Sequence, residues 1–206
     1  MAKNFTPKGK IVRRLGANIY GNPKYDRLLE RRPTPPGDHG AARRGKPSDY
    51  ARQLLEKQKV RFCYGLSEKQ FRSVFAKAKA MKGIAGHNML EILERRLDNM
   101  VYRLGMAATR AEARLFVRHG HYLVNGRKVN IPSALVDSGD VIEVKEKSRK
   151  VEKIVEALDA VMRRGIPTWL ELERDAFKGT VKTAPVRAEI TSPAVEEQLI
   201  VELYSK

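Results

Sequence analysis

This chain has almost no cysteine, and its acidic residues are far outnumbered by its basic ones. Cys63 is its one cysteine, and 24 Asp and Glu stand against 41 Lys and Arg in 206 residues. A lone cysteine excludes an internal disulfide and suits a reducing compartment. The sequence also lacks the roughly 20 consecutive apolar residues of a membrane helix. The opening "MAKNFTPKGKIVRRLG" has no apolar core of a secretory signal. The expected location is the cytoplasm.

What is present is a formal charge of +17 on a chain with 42% hydrophobic residues, long enough for one or two domains with a real core. Such an excess points to a polyphosphate or an anionic surface as partner. Residues 1–90 hold 21 basic and 6 acidic side chains, residues 91–147 hold 10 and 8, and residues 148–206 hold 10 and 10. The middle of the chain therefore has to place its cations rather than accumulate them.

Residues 1–47 read as loop-like, with Lys and Arg interleaved with Gly and Pro up to "RRPTPPGDHGAARRGKP". Composition leaves open a solvated tail or a segment ordered against a partner. Helical character starts in "SDYARQLLEKQKVRFCYGL". There Ser48 caps, Tyr50, Leu54, Leu55 and Gln58 share a face, and Arg52, Lys57, Lys59 and Arg61 lie off it. In "LSEKQFRSVFAKAKAMKG" Ser67 and Gln70 form a capping box, Phe71, Val74, Phe75 and Ala78 face inward, and Gly83 ends the run. A third helix, "NMLEILERRLDNMVYRLG", carries Leu93, Leu97, Met100, Val101 and Leu104 on one stripe, with Asn88 and Glu91 boxing its start and Gly105 ending it. In a fourth, Thr109 and Glu112 box the start, Ala111, Leu115 and Phe116 supply apolar contacts, and Gly120 closes.

The period then changes to two. "HYLV", Asn125-Gly126 and "RKVNI" spell a hairpin, because a type I′ turn needs positive φ at both central residues. "SALV" and "VIEVKE" continue as strands and residues 151–165 as a helix, while "PTWLELE" and "EEQLIVELYSK" are short strands or a closing helix.

Arg110, Arg114 and Arg118 recur every four residues of the fourth helix, on the side away from Leu115, over ~12 Å that matches a run of phosphates. The hairpin adds His119, His121, Tyr122, Asn125, Arg127 and Lys128. Helix and hairpin together make a donor-rich face suited to a folded polyanion. An arginine stripe alone would be an ordinary solvated face, with Glu112 available as a partner.

Residues 96–144, "RLDNMVYRLGMAATRAEARLFVRHGHYLVNGRKVNIPSALVDSGDVIEV", resemble the αα–β RNA-binding module named after the fourth protein of the small ribosomal subunit. The flanks "RRPTPPGDHGAARR", "ARQLLEKQKVRFCYGLSEKQF", "ILERRLDN", "PTWLELE" and "LIVELYSK" resemble the bacterial-type ribosomal family itself, in order and over nearly the whole chain. Many of its members carry an amino-terminal zinc-binding cysteine cluster; this chain has none there and resembles the cysteine-free form, so neither metal nor other cofactor is expected.

The resemblance implies an α+β protein. A basic extension over 1–47 leads to a small helical domain over 48–90, completed by about 187–206. An inserted RNA-binding module over 91–186, core 96–150, has a small, mainly antiparallel sheet. It implies a structural protein that binds small-subunit ribosomal RNA directly at a multi-helix junction near the 5′ end and nucleates assembly of the body. Contact with a neighbouring protein that affects decoding accuracy is implied as well, and a basic surface near the channel where mRNA enters, with no membrane partner. The expected RNA contacts are Arg43, Arg44, Lys46, Arg52, Lys57, Lys59, Arg61, Lys69, Arg72, Arg110, Arg114, Arg118, His119, His121, Asn125, Arg127 and Lys128.

Other classes of protein fit these residues less well. RNA pseudouridine synthases share the module and place their catalytic Asp in an Arg-Leu-Asp stretch, which this chain has at Arg96 to Asp98. Too little chain follows residue 150 for a catalytic domain, and Asp98 reads better as an interhelical hydrogen-bonding residue. The pair His119 and His121 lacks a third metal ligand, and Gly83 to Gly86 lacks the sheet context of a backbone clamp. A general DNA-binding protein and a free assembly factor remain the alternatives.

Overall fold

The computed structural model describes residues 6–42 and 45–205. The chain clusters into two compact units, residues 1–76 with 191–206, and residues 77–190. These boundaries stand against the expected ones at 90/91 and 186/187. Among the described residues, no helix is long and apolar enough to cross a membrane.

In the first unit the segment expected to be loop-like holds two helices, α1 (Lys8–Leu15) and α2 (Pro23–Arg31). Its Pro and Gly punctuate these helices and do not forbid them. Pro23 occupies the first helical position, where a missing N–H costs nothing, and Asn22 caps by accepting from the Lys24 N–H at 2.9 Å. Gly16 ends α1 in the left-handed region at φ 64. Ile11, Val12 and Ile19 bury themselves between the elements. Arg13 donates to the carbonyls of Thr34 (2.9 Å) and Pro35 (3.2 Å), tying down the proline-rich loop.

The third helix, α3 (Asp49–Cys63), starts at Ser48, whose Oγ accepts from the Ala51 N–H at 3.3 Å. Its inward face is Gln53, Glu56, Lys57, Val60 and Cys63, not the expected Tyr50, Leu54, Leu55 and Gln58; Tyr50 is 58% exposed. The carboxyl-terminal helix lying along it, α9 (Glu197–Ser205), decides this by offering polar partners. Glu202 accepts from Gln53 Nε2 at 3.0 Å, and Glu56 from the Glu196 backbone N–H at 3.4 Å. In α4 (Glu68–Ala80) the capping box forms in both directions, Gln70 N–H to Ser67 Oγ at 3.3 Å and Ser67 N–H to Gln70 Oε1 at 3.1 Å. Tyr204 of α9 stacks on Phe75 at 4.6 Å. Burial and the adjacent Glu68 carboxylate push its phenol up to about 12.

In the second unit the expected third helix is two helices, α5 (Ala85–Glu94) and α6 (Leu97–Arg103), broken at Arg95 and Arg96. The break has a partner: Leu97 and Asp98 N–H groups donate to the carbonyls of Ala134 (2.8 Å) and Pro132 (3.1 Å), so a later loop caps α6. The stripe of Leu93, Leu97, Met100, Val101 and Leu104 is nevertheless wholly buried. Asn88 does not box a helix start. It lies inside α5, and its amide donates to the Ala78 and Lys82 carbonyls, both at 3.2 Å, closing the end of α4.

Next come α7 (Arg110–His119), β1 (Tyr122–Val124), β2 (Arg127–Lys128), β3 (Val141–Val144), α8 (Glu152–Arg164), β4 (Leu170–Glu173) and β5 (Lys178–Val181). The five strands form one antiparallel sheet in the order β2-β1-β3-β5-β4. "SALV" is not a strand; its Leu135 makes one isolated bridge to Arg96. Tyr122 is fully buried and donates its hydroxyl to the Met106 carbonyl at 2.8 Å. Gly105, at φ 79, lies so close to α8 that a Cβ there would overlap the Val161 side chain. Gly105→Ala should cost about 2–3 kcal/mol, backbone strain added to overpacking, read as a lower urea midpoint.

Candidate nucleic-acid interface

The hairpin forms as its residues require, with Asn125 at φ 49 and Gly126 at φ 74. The Asn125 side chain is used by the sheet itself, donating to Asp140 Oδ1 at 2.8 Å and accepting from the Val141 N–H at 2.9 Å. Arg127 and Lys128, on the edge strand β2, are exposed.

The arginine row on α7 has a different geometry from the expected one. The inward residues are Ala113, Phe116 and Val117, whereas Leu115 is 47% exposed and Ala111 faces solvent, so these two supply no core contact. Steps of four residues drift by about 40° around a helix. Arg110 thus lies beside the core, Arg114 at its border and Arg118 in solvent.

Arg110 Nε donates to Asn99 Oδ1 at 2.8 Å, and its guanidinium covers the Tyr102 ring at 4.4 Å. Arg114 donates through Nε and Nη2 to Asp98 Oδ2, both at 2.7 Å. Asp98 also accepts the Arg96 fork at 3.0 and 2.8 Å. Beside this lies a second buried group. Glu94, with a side chain 0% exposed, accepts from Asn99 Nδ2 (2.7 Å) and from Arg103 Nε (2.9 Å) and Nη2 (2.7 Å). Asp98 is thus a buried partner of two guanidiniums, Arg114 of α7 and Arg96 at the start of α6. Arg110 and Arg114 lock α7 onto α6; Arg114 still keeps 21% of its side chain exposed. Arg118 has no ion pair among the described residues.

At the end of α7, His121 Nδ1 lies 2.9 Å from Ser148 Oγ and its ring stands edge-on to Phe116. Burial, the neighbouring His119 and Lys145 all hold its imidazole below the usual histidine range. His119 is exposed.

The expected contacts of the first unit divide in the same way. Arg52 pairs with Asp49, and Lys59 with Glu56. Lys57, whose side chain is only 9% exposed, donates to Glu68 at 2.8 Å. Arg61 donates to Gln58 at 2.7 Å and lies 3.8 Å from Glu68. The cations of α3 thus have acidic or amide partners within the chain. Lys46, Lys69 and Arg72 are exposed and without an ion pair among the described residues. Arg43 and Arg44 lie outside the described residues.

The exposed cations Lys10, Arg14, Lys24, Arg27 and Arg31 of the first two helices, and Arg32 just after them, were not among the expected contacts, and they have no ion pair among the described residues. The signal for them is the scarcity of acid over the same stretch, which a loop-like reading of the segment conceals.

Residues 3–94 match the family described as Ribosomal protein S4/S9 N-terminal domain, and residues 95–142 match the S4 domain. The chain is 63% identical over 178 residues to small ribosomal subunit protein uS4 of Syntrophotalea carbinolica, covering 86% of this chain and 85% of that one. It is 57% identical to the protein of that name from Geobacter sulfurreducens and 58% identical to that from Trichlorobacter lovleyi, each over 210 residues and the full length of both chains. Fold, charge and these likenesses define a structural RNA-binding protein of the ribosome, not an enzyme. The chain belongs to the uS4 family of the small ribosomal subunit. The relatives carry the name of a protein of the small ribosomal subunit.

Proposed function

We propose that this protein binds small-subunit ribosomal RNA at a multi-helix junction of the 5′ domain, early in assembly, and so nucleates the body of the subunit. In the same reading it touches a neighbouring small-subunit protein whose contact affects decoding accuracy, and it lies near the channel where mRNA enters.

The observation that carries the reading is the sorting of cations into two kinds. Arg110 and Arg114, held by Asn99 and by the buried Asp98, fix the angle of one helix on another. Arg118, Arg127 and Lys128 stay exposed around the hairpin. A-form RNA hides its base edges in a deep groove, so a junction is recognised by shape, backbone and 2′-OH. Rigid elements bearing unpaired cations suit that task, and phosphate neutralisation supplies the affinity.

Filter-binding titrations against a 5′ domain junction fragment, with duplex RNA and duplex DNA of equal length as competitors across a salt series, test it. Junction-selective binding with a steep salt slope is expected. Equal binding to all three would reduce the protein to a general nucleic-acid binder. Stoichiometric retention in mature subunits would separate a resident protein from a free assembly factor.

A further inference from the structure

The end of α7 gathers two lysines and two histidines, none of them in an ion pair among the described residues. His119 and His121 flank Gly120, whose left-handed turn (φ 73) takes the chain from α7 into β1. Their ring centroids are 6.0 Å apart. Lys145, which follows β3, is tied alongside by its backbone N–H, donating to the His121 carbonyl at 2.8 Å. Lys128 crosses the same turn from β2, its Cε and Nζ filling the space next to Gly120 where another residue would carry a Cβ. Arg96, Arg103 and Arg114, by contrast, each face a buried carboxylate.

Protonating imidazoles beside Lys128 and Lys145 sets like charges against one another, and a bound anion is what would stabilise the protonated group. We propose that His119, His121, Lys128 and Lys145 form one subsite for an RNA phosphodiester, with the imidazole pair taking up a proton as the phosphate binds. This rests on the RNA-binding reading and adds to it a place and a proton.

The groups facing the His121 imidazole fit that role. They are His119 and the Phe116 edge from α7, and Lys145 and the Ser148 hydroxyl from the segment after β3; Lys128 of β2 lies against Gly120, between the two histidines in sequence. No carboxylate is among the charges acting on it. The Ser148 contact fixes the ring's orientation, so little ordering is left for the moment of binding.

The direction of the pH effect follows from the charge. In the free protein His121 titrates below its ordinary value and is mostly neutral above neutrality. A phosphate beside it raises that value. Binding therefore tightens as pH falls through the bound-state value, and levels off once pH is below the free-state value.

The test is a filter-binding titration of the full chain against the junction fragment, at fixed ionic strength, from about pH 8 to about pH 5.5. Wild type should tighten roughly tenfold, the worth of one charge-assisted hydrogen bond. His119→Gln with His121→Gln should flatten the curve, and Lys145→Gln should reduce the salt slope by about 1 at every pH. His119→Gln alone, on an exposed side chain, gives a partial flattening and serves if the double variant does not fold. NMR titration of both imidazoles in wild type, with and without the RNA, should show their values raised in the complex. Unshifted imidazoles, or equal pH dependence in wild type and the folded histidine variants, would overturn the subsite. If wild type prefers the junction while these effects are absent, the subsite fails and the RNA-binding reading stands. Loss of junction preference in wild type fails that reading itself.

Discussion

Glu94→Ala should cost about 3–5 kcal/mol, the scale for removing one partner of a buried ion pair. The Glu94 side chain is 0% exposed and the Arg103 side chain 14%, so water does not reach the guanidinium freely when its partner is gone. The same substitution removes an acceptor from the Asn99 amide, which also donates to the Glu94 backbone carbonyl at 3.0 Å. Asn99 in turn receives Arg110 from α7, so the loss reaches the α6–α7 packing that carries the hairpin. Urea unfolding would read the cost as a lower midpoint at an unchanged slope. Glu94→Gln, which keeps volume and an acceptor, should lose less. A cost under about 1 kcal/mol for the alanine would mean that Arg103 finds another partner or water, and that the network orients α7 without stabilising it.

Replacing Lys10, Arg14, Arg27 and Arg31 together by Gln should reduce the salt dependence of RNA binding by roughly 3 in slope, near 1 for each phosphate left without its cation. Affinity for the junction fragment near physiological salt should fall on the order of a hundredfold. All four side chains are exposed and make no ion pair among the described residues, so the thermal midpoint should hardly move. The matched control is Arg52→Gln with Lys59→Gln, on cations paired to Asp49 and Glu56. That control should change the slope by less than 1. If the control weakens binding as much as the amino-terminal set, paired and unpaired cations contribute alike, and the sorting of charges carries no functional meaning.

Local elements were legible because their signals are local. The capping residues Ser48, Ser67 with Gln70, and Thr109 accept the bonds their spacing predicts, while Glu112 reaches one residue past the cap to accept from the Ala108 N–H. Asn125-Gly126 needs nothing beyond its own backbone freedom. Asn88 had the same spacing to Glu91 but went elsewhere, because the carbonyls of Ala78 and Lys82 at and just past the end of α4 lay within reach. The break at Arg95 and Arg96 was hidden for a similar reason: the carbonyls that cap α6 belong to Pro132 and Ala134, far along the chain.

The chain's own order of residues was enough for its charge, its amphipathic segments, its hairpin and its family. Whether a given cation is held or free was a matter for the assembled fold. Lys57 meets Glu68 across 11 residues, and Arg114 meets Asp98 across 16. A helical wheel states which residues share a face but not what stands opposite. An ion pair gains its strength from that opposite group and from the water excluded around it, and both exist only after the helices have packed.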